Sequence, residues 1–368
     1  MSEPEPLQQV NRTYVRFRNR TLSYFSGCDY YRLASHPAVL SALKSGAGQY
    51  GLNVAASRLT TGNHRLYLKL EQKLARFMAA ESALLVSSGY QANLAAAQAL
   101  AGEFSHALVD ERAHPSLLDA AALLNCPVIR FNHRDVENLA SAVTRTGPKS
   151  KLVLLTDGMF SHDGSVAPLK EYSRLLPPDA LLLVDDAHGV GVLGRTGKGT
   201  PEYTGLSRSR VVQTVTLSKA FGVYGGAVIG SKTIRNRIIE RSRLFIGSTP
   251  LPLPLANAAL VSLQLLRTDK QLRLRLRKNV GYIRSEMNRN LFSVPKTPGP
   301  VLGLEPRSPR ATQVILRSLL RSGIYPPYIH YPGTPQGGYF RFVISSEHSR
   351  AQLDELVQVL VRLRAQFS

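Results

Sequence analysis

Cysteine is scarce: Cys28 and Cys126 are the only two in 368 residues, too few for a disulfide scaffold and without metal-ligand spacing, so no metal is expected. No run of about 18 uninterrupted apolar residues occurs, so no membrane-spanning helix is expected either. The opening Met1-Ser-Glu-Pro-Glu-Pro6 is acidic and proline-rich, unlike a basic stretch followed by an apolar one, and no secretion signal is expected. A reducing cytoplasm is the expected compartment. Internal repeats and low-complexity segments are missing as well.

Acidic residues are few beside basic ones, 25 Asp and Glu against 46 Lys and Arg, for a net charge of +21. A basic surface attracts phosphate whatever the fold. Yet there is no zinc spacing, aromatic RNA-binding signature or basic tail, and the arginines run from Arg12 to Arg364. Two clusters stand out, Arg12 to Arg20 and Arg267 to Arg289. In the second, Leu272, Leu274, Leu276, Val280, Ile283 and Met287 alternate with the charges, as on a solvated helix face. Nucleic acid is therefore not the expected partner.

What is present is a globular pattern, 43% hydrophobic, enough for one large core and a smaller domain. From about His36 to Ile246, strand and helix signals alternate, which predicts an α/β fold with a mainly parallel seven-stranded sheet and helices on both faces. Strands are expected at Ala83–Val86, Ala107–Asp110, Val128–Phe131, Leu152–Thr156, Leu181–Asp185, Val211–Thr216 and Gly226–Gly230. Helices are expected at His64–Ala80, Gln91–Ala101, Ser116–Leu124, Val136–Thr144 and Leu169–Leu176. After Pro250-Leu-Pro-Leu-Pro254 the pattern changes to a long helical run to about Leu291, a helix over Pro309–Ser322, a strand over Tyr339–Ile344 and a last helix over Ser349–Gln366. The expected division is an N-terminal arm at 1–36 packed on the small domain, a large domain at 37–254, and a small α+β domain at 255–368.

Chemistry concentrates at two strand ends. Lys219 follows the β-branched strand Val211–Thr216 and enters a glycine-bearing turn, Ser218-Lys-Ala-Phe-Gly222. Upstream, the apolar strand Leu181–Asp185 ends in Asp185-Asp-Ala-His188. A lysine and an acid in this order suit pyridoxal phosphate: the lysine holds it as a Schiff base, and a carboxylate facing the pyridine nitrogen keeps the ring protonated. Asp185 fits that second role, with His188 placed to reach the ring phenolate.

Six stretches in order carry a resemblance: Ser57-Arg-Leu-Thr-Thr-Gly-Asn-His64, Ser88-Gly-Tyr-Gln-Ala-Asn93, Asp110-Glu-Arg-Ala-His-Pro-Ser-Leu-Leu-Asp119, Thr156-Asp-Gly-Met-Phe-Ser-His-Asp-Gly164, Val184-Asp-Asp-Ala-His-Gly189 and Thr216-Leu-Ser-Lys-Ala-Phe-Gly222. With them the chain resembles, from about Ser23 onward, the α-oxoamine synthase family of fold-type I pyridoxal-phosphate enzymes. The resemblance implies that Ser88, Gly89, Tyr90 and Thr216 hold the cofactor phosphate, the first three at a helix N-terminus. It implies Ser248 and Thr249 reaching a neighbouring subunit's phosphate, hence a homodimer with shared active sites. His114 would stack on the ring, Ser161 would lie near the phenolate, and Arg341 would grip a substrate carboxylate.

The implied reaction is a decarboxylative condensation of a small amino acid, alanine favoured, with an acyl thioester on coenzyme A or an acyl carrier protein, giving an α-amino ketone. The catalytic set is Lys219, His114, Asp185 and His188. The arginine clusters would then receive an anionic acyl carrier. The family's Ser-Asn-Asp-Tyr-Leu-Gly is here Ser26-Gly-Cys-Asp-Tyr-Tyr-Arg32, and its Gly-Ser-Gly-Gly-Ser-Arg is Asn53-Val-Ala-Ala-Ser-Arg58. Both departures are expected to narrow the acyl entrance, with Cys28, Arg58 and Thr334 as candidate substrate contacts. The family also more often has Glu where this chain has Asp157. Alternatives are another fold-type I reaction, such as transamination, aldol cleavage, racemisation or a condensation using glycine or serine, and a basic nucleic-acid-binding protein with a vestigial site.

Overall fold

Seven strands rich in Leu, Val and Ala build the central sheet of the computed structural model, which describes residues 5–330 and 338–368. In chain order they are β1 (Ser82–Val86), β2 (His106–Asp110), β3 (Val128–Phe131), β4 (Leu152–Asp157), β5 (Leu181–Asp185), β6 (Val211–Thr216) and β7 (Gly226–Gly230). Their order across the sheet is β1-β7-β6-β5-β4-β2-β3. The strands from β6 through β3 pair in parallel, while β7 runs antiparallel to both β6 and β1. This is the mainly parallel sheet the alternation predicted, and each strand lies within two residues of its expected limits.

Successive side chains of a strand face opposite sides, so a sheet covered on both faces needs apolar residues at every position. In β4, Val153 and Leu155 join one core with Leu183 and the Ala-rich helix Gly89–Leu100, whereas Leu152 and Leu154 join a second with Leu182 and Val184. Leu139 of helix Val136–Thr146 and Tyr172 of helix Leu169–Leu175 fill that second face. The polar residues of the two segments β4 and β5 fall only at their C-terminal ends, where Asp157 and Asp185 are register partners. In an open α/β sheet that end is where ligands bind.

The chain forms two compact units. The larger comprises His36–Phe160 and Val166–Asp269 and holds the seven-stranded sheet. The smaller comprises Met1–Ser35, Ser161–Ser165 and Lys270–Ser368. The sequence division at 254/255 and this grouping differ by one helix and by Ser161–Ser165. The expected continuous helical run is two helices, Leu253–Thr268 and Lys270–Arg289, separated at Asp269, whose ψ of 90° is extended. The first packs on Pro37–Tyr50 of the larger unit, where Asn257 Nδ2 donates to the Ala42 carbonyl at 2.8 Å.

Within the smaller unit, Tyr14–Phe17 and Arg20–Ser23 form a hairpin, joined by the short strand Gln8–Gln9. A second sheet places Tyr339–Val343 between Val301–Leu304 and Tyr328–Ile329, all antiparallel. Ser23 and Tyr325 link the hairpin to this part through Tyr325 N donating to the Ser23 carbonyl at 2.9 Å. Arg284, buried on Lys270–Arg289, donates to the carbonyls of Pro295 (2.7 Å), Gly299 (2.9 Å), Val301 (2.8 Å) and Asp163 (3.3 Å), which fixes a segment without regular structure.

Candidate active site

Five of the strands, β1, β2, β4, β5 and β6, deliver polar groups to the same edge of the sheet. Beyond β1, Ser88 caps helix Gly89–Leu100, its hydroxyl accepting from Gln91 N at 3.2 Å. Beyond β2, His114 caps helix Pro115–Ala122, its Nδ1 accepting from Ser116 N at 3.2 Å. Asp157 ends β4, Asp185 ends β5 with His188 just after it, and Thr216 ends β6 before Lys219.

Lys219 is held by a tight turn. Leu217 N donates to the Gly225 carbonyl at 2.9 Å, Gly222 N to the Lys219 carbonyl at 2.9 Å, and Ser218 N to Thr216 Oγ1 at 3.2 Å. The Thr216 hydroxyl donates in turn to the Gly225 carbonyl at 3.2 Å. Gly89 is required by close approach: a Cβ there would stand 2.8 Å from Thr216 Cβ.

These residues line a single cavity of about 210 Å3: Ser88, Gly89, Tyr90, His114, Ser116, Asp157, Asp185, Ala187, His188, Thr216, Ser218 and Lys219. It holds eight of the residues singled out from the sequence, with one amine, two imidazoles and two carboxylates. The structure also separates the two adjacent acids. Asp185 faces the cavity, where Oδ2 accepts from Asn93 Nδ2 at 2.6 Å and Oδ1 from Ala187 N at 3.0 Å. Asp186 is buried elsewhere against Thr200 N (2.7 Å), Thr200 Oγ1 (2.6 Å) and Gln213 Nε2, and burial pushes its carboxyl up to about 6.

Asp157 Oδ2 accepts from His114 N at 2.7 Å. Burial, then the charge of Asp185, raises the Asp157 carboxyl well above the usual range. His114 moves the other way: burial lowers its pKa, with the Lys219 ammonium adding to that and Asp185 opposing it. The Tyr90 ring meets the His114 ring edge-on at 6.1 Å.

The remaining candidates lie elsewhere. Ser248 and Thr249 line a separate apolar pocket with Leu85, Ser87, Leu244 and Phe245, where Ser87 Oγ donates to the Thr249 carbonyl at 3.0 Å. Arg58 borders that pocket too, but its guanidinium is spent internally. It pairs bidentately with Glu71, itself accepting from Leu85 N at 2.9 Å, and donates to Asn63 Oδ1 at 3.0 Å, so the expected substrate contact is a buried ion pair. Ser161, Cys28 and Arg341 belong to the smaller unit, Arg341 on Tyr339–Val343 opposite Gly303. Thr334 lies outside the described residues.

The altered loops keep glycine-like backbones. Arg32, where the family has glycine, sits at φ +51°, and Ala55 at φ +49°. Arg32 offsets that cost by donating from Nη2 to the carbonyls of Tyr24 and Ser26, both at 3.2 Å. Two residues escaped the sequence reading. Asn93 was seen only as the end of a motif and Ser116 as part of a motif and the start of a helix, yet both are buried, Ser116 in the cavity wall and Asn93 bonded to it. A polar side chain on the buried face of an Ala-rich helix was the available signal for Asn93.

The donor set fits pyridoxal phosphate. A capped helix N-terminus whose first residue lacks a Cβ suits the phosphate, Asp185 suits a ring nitrogen, and Lys219 supplies the amine. A family model for aminotransferases of class I and II matches residues 26–360. The chain belongs to that family. Within the class I and II aminotransferases it is similar to 8-amino-7-oxononanoate synthase from Thioalkalivibrio sulfidiphilus, 37% identical over 346 residues, covering 93% of this chain and 88% of the relative. The same name attaches to a relative from Methylococcus capsulatus, 38% identical, covering 91% and 87%. Among solved structures it is similar to serine palmitoyltransferase from S. paucimobilis with bound PLP-myriocin aldimine, at TM-score 0.91 and 26% identity over 97% of this chain and 91% of that one. These likenesses place it in the α-oxoamine synthase branch its motifs resemble. Among the described residues no helix is long and apolar enough to cross a membrane.

Proposed function

We propose that the chain is a pyridoxal-phosphate-dependent acyltransferase that condenses a small amino acid, alanine favoured, with an acyl thioester and releases carbon dioxide and a thiol, as 8-amino-7-oxononanoate synthases do for biotin synthesis. The observation that carries this reading is Lys219 and Asp185 on one cavity at the ends of adjacent parallel strands, beside a capped helix N-terminus.

When bound, pyridoxal phosphate supplies an electron-accepting ring that stabilises negative charge at the Cα of an amino acid. Lys219 would hold the cofactor and, once displaced, take the α-proton. Ser88, Gly89, Tyr90 and Thr216 would hold its phosphate, Asp185 its ring nitrogen and His188 its phenolate. The Cα to acyl-carbon bond then forms as the carbon–sulfur bond breaks, the sulfur leaving with the electron pair and gaining a proton. Loss of the carboxyl group as carbon dioxide and return of one proton to Cα complete the α-amino ketone.

Ser248 and Thr249 lie apart from the Lys219 cavity of their own chain, which supports a role in a second copy's site and hence a homodimer. Arg341 is proposed to hold the amino-acid carboxylate, Cys28 to contact the substrate and Ser161 to contact the cofactor. The carrier of the acyl group is proposed to be coenzyme A or an acyl carrier protein, met by the basic surface. The test is thiol release from acyl-coenzyme A and acyl-carrier donors crossed with alanine, glycine and serine, with Lys219→Ala as blank. Release needing both substrates and Lys219 establishes the reaction; its absence with every donor overturns it.

A further inference from the structure

Behind the cavity wall a hydrogen-bonded chain joins Asp185 to His114 through two residues of different segments. Asn93 Nδ2 donates to Asp185 Oδ2 at 2.6 Å and to Ser116 Oγ at 2.8 Å, while Asn93 Oδ1 accepts from Thr214 Oγ1 at 2.5 Å. Ser116 Oγ lies 2.7 Å from His114 Nδ1, and Ser116 N donates to the same nitrogen at 3.2 Å. Asn93, Ser116 and Thr214 are each no more than 1% exposed, and their polar groups find partners in one another.

Only one arrangement of protons satisfies the chain. A backbone N–H can only donate, so at 3.2 Å it favours a lone pair on His114 Nδ1, and the shorter 2.7 Å contact with Ser116 Oγ decides between the two tautomers. The Asn93 amide cannot be turned over, because its oxygen would then face the Asp185 carboxylate. Asn93 therefore uses its N–H groups on Asp185 and Ser116. Ser116, receiving one of them, directs its own hydroxyl proton to Nδ1. The proton of the neutral imidazole is left on Nε2. Protonating Nδ1 would set it against two donors at once, in keeping with the lowered pKa of the buried ring.

We propose that Asn93 and Ser116 are positioning residues that lock His114 as the Nε2–H tautomer, making it a hydrogen-bond donor rather than a proton acceptor in the cavity. His114 N bound to Asp157 Oδ2 fixes its main chain, and the Tyr90 ring stands edge-on to the imidazole, so orientation and tautomer are set together. The identity of the group that Nε2–H meets, a substrate carboxylate or thioester oxygen, rests on the proposed function. The tautomer does not.

The test uses cofactor-free protein labelled with 15N-histidine, the His114 signals being those missing from His114→Gln. The expected wild-type spectrum shows His114 neutral at pH 7, with Nε2 protonated and Nδ1 bare. Ser116→Ala should give a mixture of tautomers and Ser116→Thr should restore one. Dialysis against pyridoxal phosphate should show dissociation constants raised at least tenfold in Asn93→Leu. A wild-type His114 protonated on Nδ1 overturns the proposal. So does an unchanged tautomer in Ser116→Ala together with cofactor affinity within twofold of wild type. Should Asn93→Leu fail to fold, the Ser116 pair decides alone. Failure of thiol release with an intact Nε2–H signal would count against the reaction and not against the relay.

Discussion

Asp157 and Asp185 are paired in register at the C-terminal ends of adjacent parallel strands, and they face the same cavity with opposite surroundings. Asp185 is met by two N–H donors, one on each oxygen. Asp157 is buried beside that carboxylate and receives one N–H, from His114. Burial first, then the like charge across the register pair, pushes the Asp157 carboxyl well above the usual carboxylate range. Asp157→Asn, which keeps an oxygen for His114 N, is therefore expected to lower thiol release less than about tenfold, whereas Asp185→Ala should lower it on the order of 100-fold or more.

The same relationship predicts a pH effect on stability. A carboxyl whose folded pKa is raised above its unfolded value weakens the fold as pH climbs above the unfolded value, because the unfolded chain ionises first. Asp157→Asn removes that penalty. Its melting temperature relative to wild type should rise between pH 4 and pH 8, and a flat difference would show that Asp157 is charged in the native protein.

Arg58 and Glu71 form a buried ion pair whose other atoms are held by Asn63 and Leu85 N. Removing Arg58 leaves the buried Glu71 carboxylate with the more distant, partly exposed Arg235 at 3.8 Å, and breaking a buried pair costs about 3–5 kcal/mol. Arg58→Met should accordingly lower the unfolding free energy by that amount in urea titrations. A variant of normal stability with a raised KM for acyl donor would return Arg58 to the substrate-binding role its motif suggested.

Ala55 holds a left-handed backbone, φ +49°, on an exposed stretch where the family has glycine. An L-residue in that conformation costs about 1–2 kcal/mol, against the roughly 0.5–1 kcal/mol that glycine loses through its freer unfolded chain. Ala55→Gly should stabilise the protein by up to about 1 kcal/mol in thermal melts. Arg32→Gly gains the same relief but gives up two buried bonds to Tyr24 and Ser26, and is expected to be less stable than wild type.

The larger unit was legible because its strands are short Leu, Val and Ala runs closed by polar residues, and several of those closing residues line the candidate site. Asp185 and Lys219 could be named from strand ends, and Thr216 from the resemblance. The break at Asp269 was not legible, since Leu and Arg alternate across it with neither proline nor glycine. Strands Val301–Leu304 and Tyr328–Ile329 were missed because they are two to four residues long and bordered by proline. The relay through Asn93 and Ser116 joins residues from four segments, and no spacing in the sequence encodes which amide hydrogen meets which oxygen. The Glu71 partner of Arg58 was not legible for a related reason: a motif gives the residue and leaves its partner unstated.

His348 supplies the clearest pH dependence of the smaller unit. Its Nδ1 accepts from Ser345 N at 3.0 Å, its Nε2 lies 3.1 Å from the Tyr24 carbonyl, and its ring stacks on Phe25 at 4.2 Å. Burial first, then the Arg32 guanidinium, lowers its pKa to about 3. A proton on Nδ1 would break the bond from Ser345, so the native fold excludes the charged form. Since the unfolded histidine titrates near 6.5, stability is full above that value and falls as pH drops from about 6.5 toward 3, because the unfolded chain takes up the proton the native one refuses. At pH 5 the loss from this group is about 2 kcal/mol. The difference in unfolding free energy between wild type and His348→Gln should therefore shrink from pH 7.5 to pH 5. A difference that stays constant over that range would mean that His348 takes up its proton in the native state.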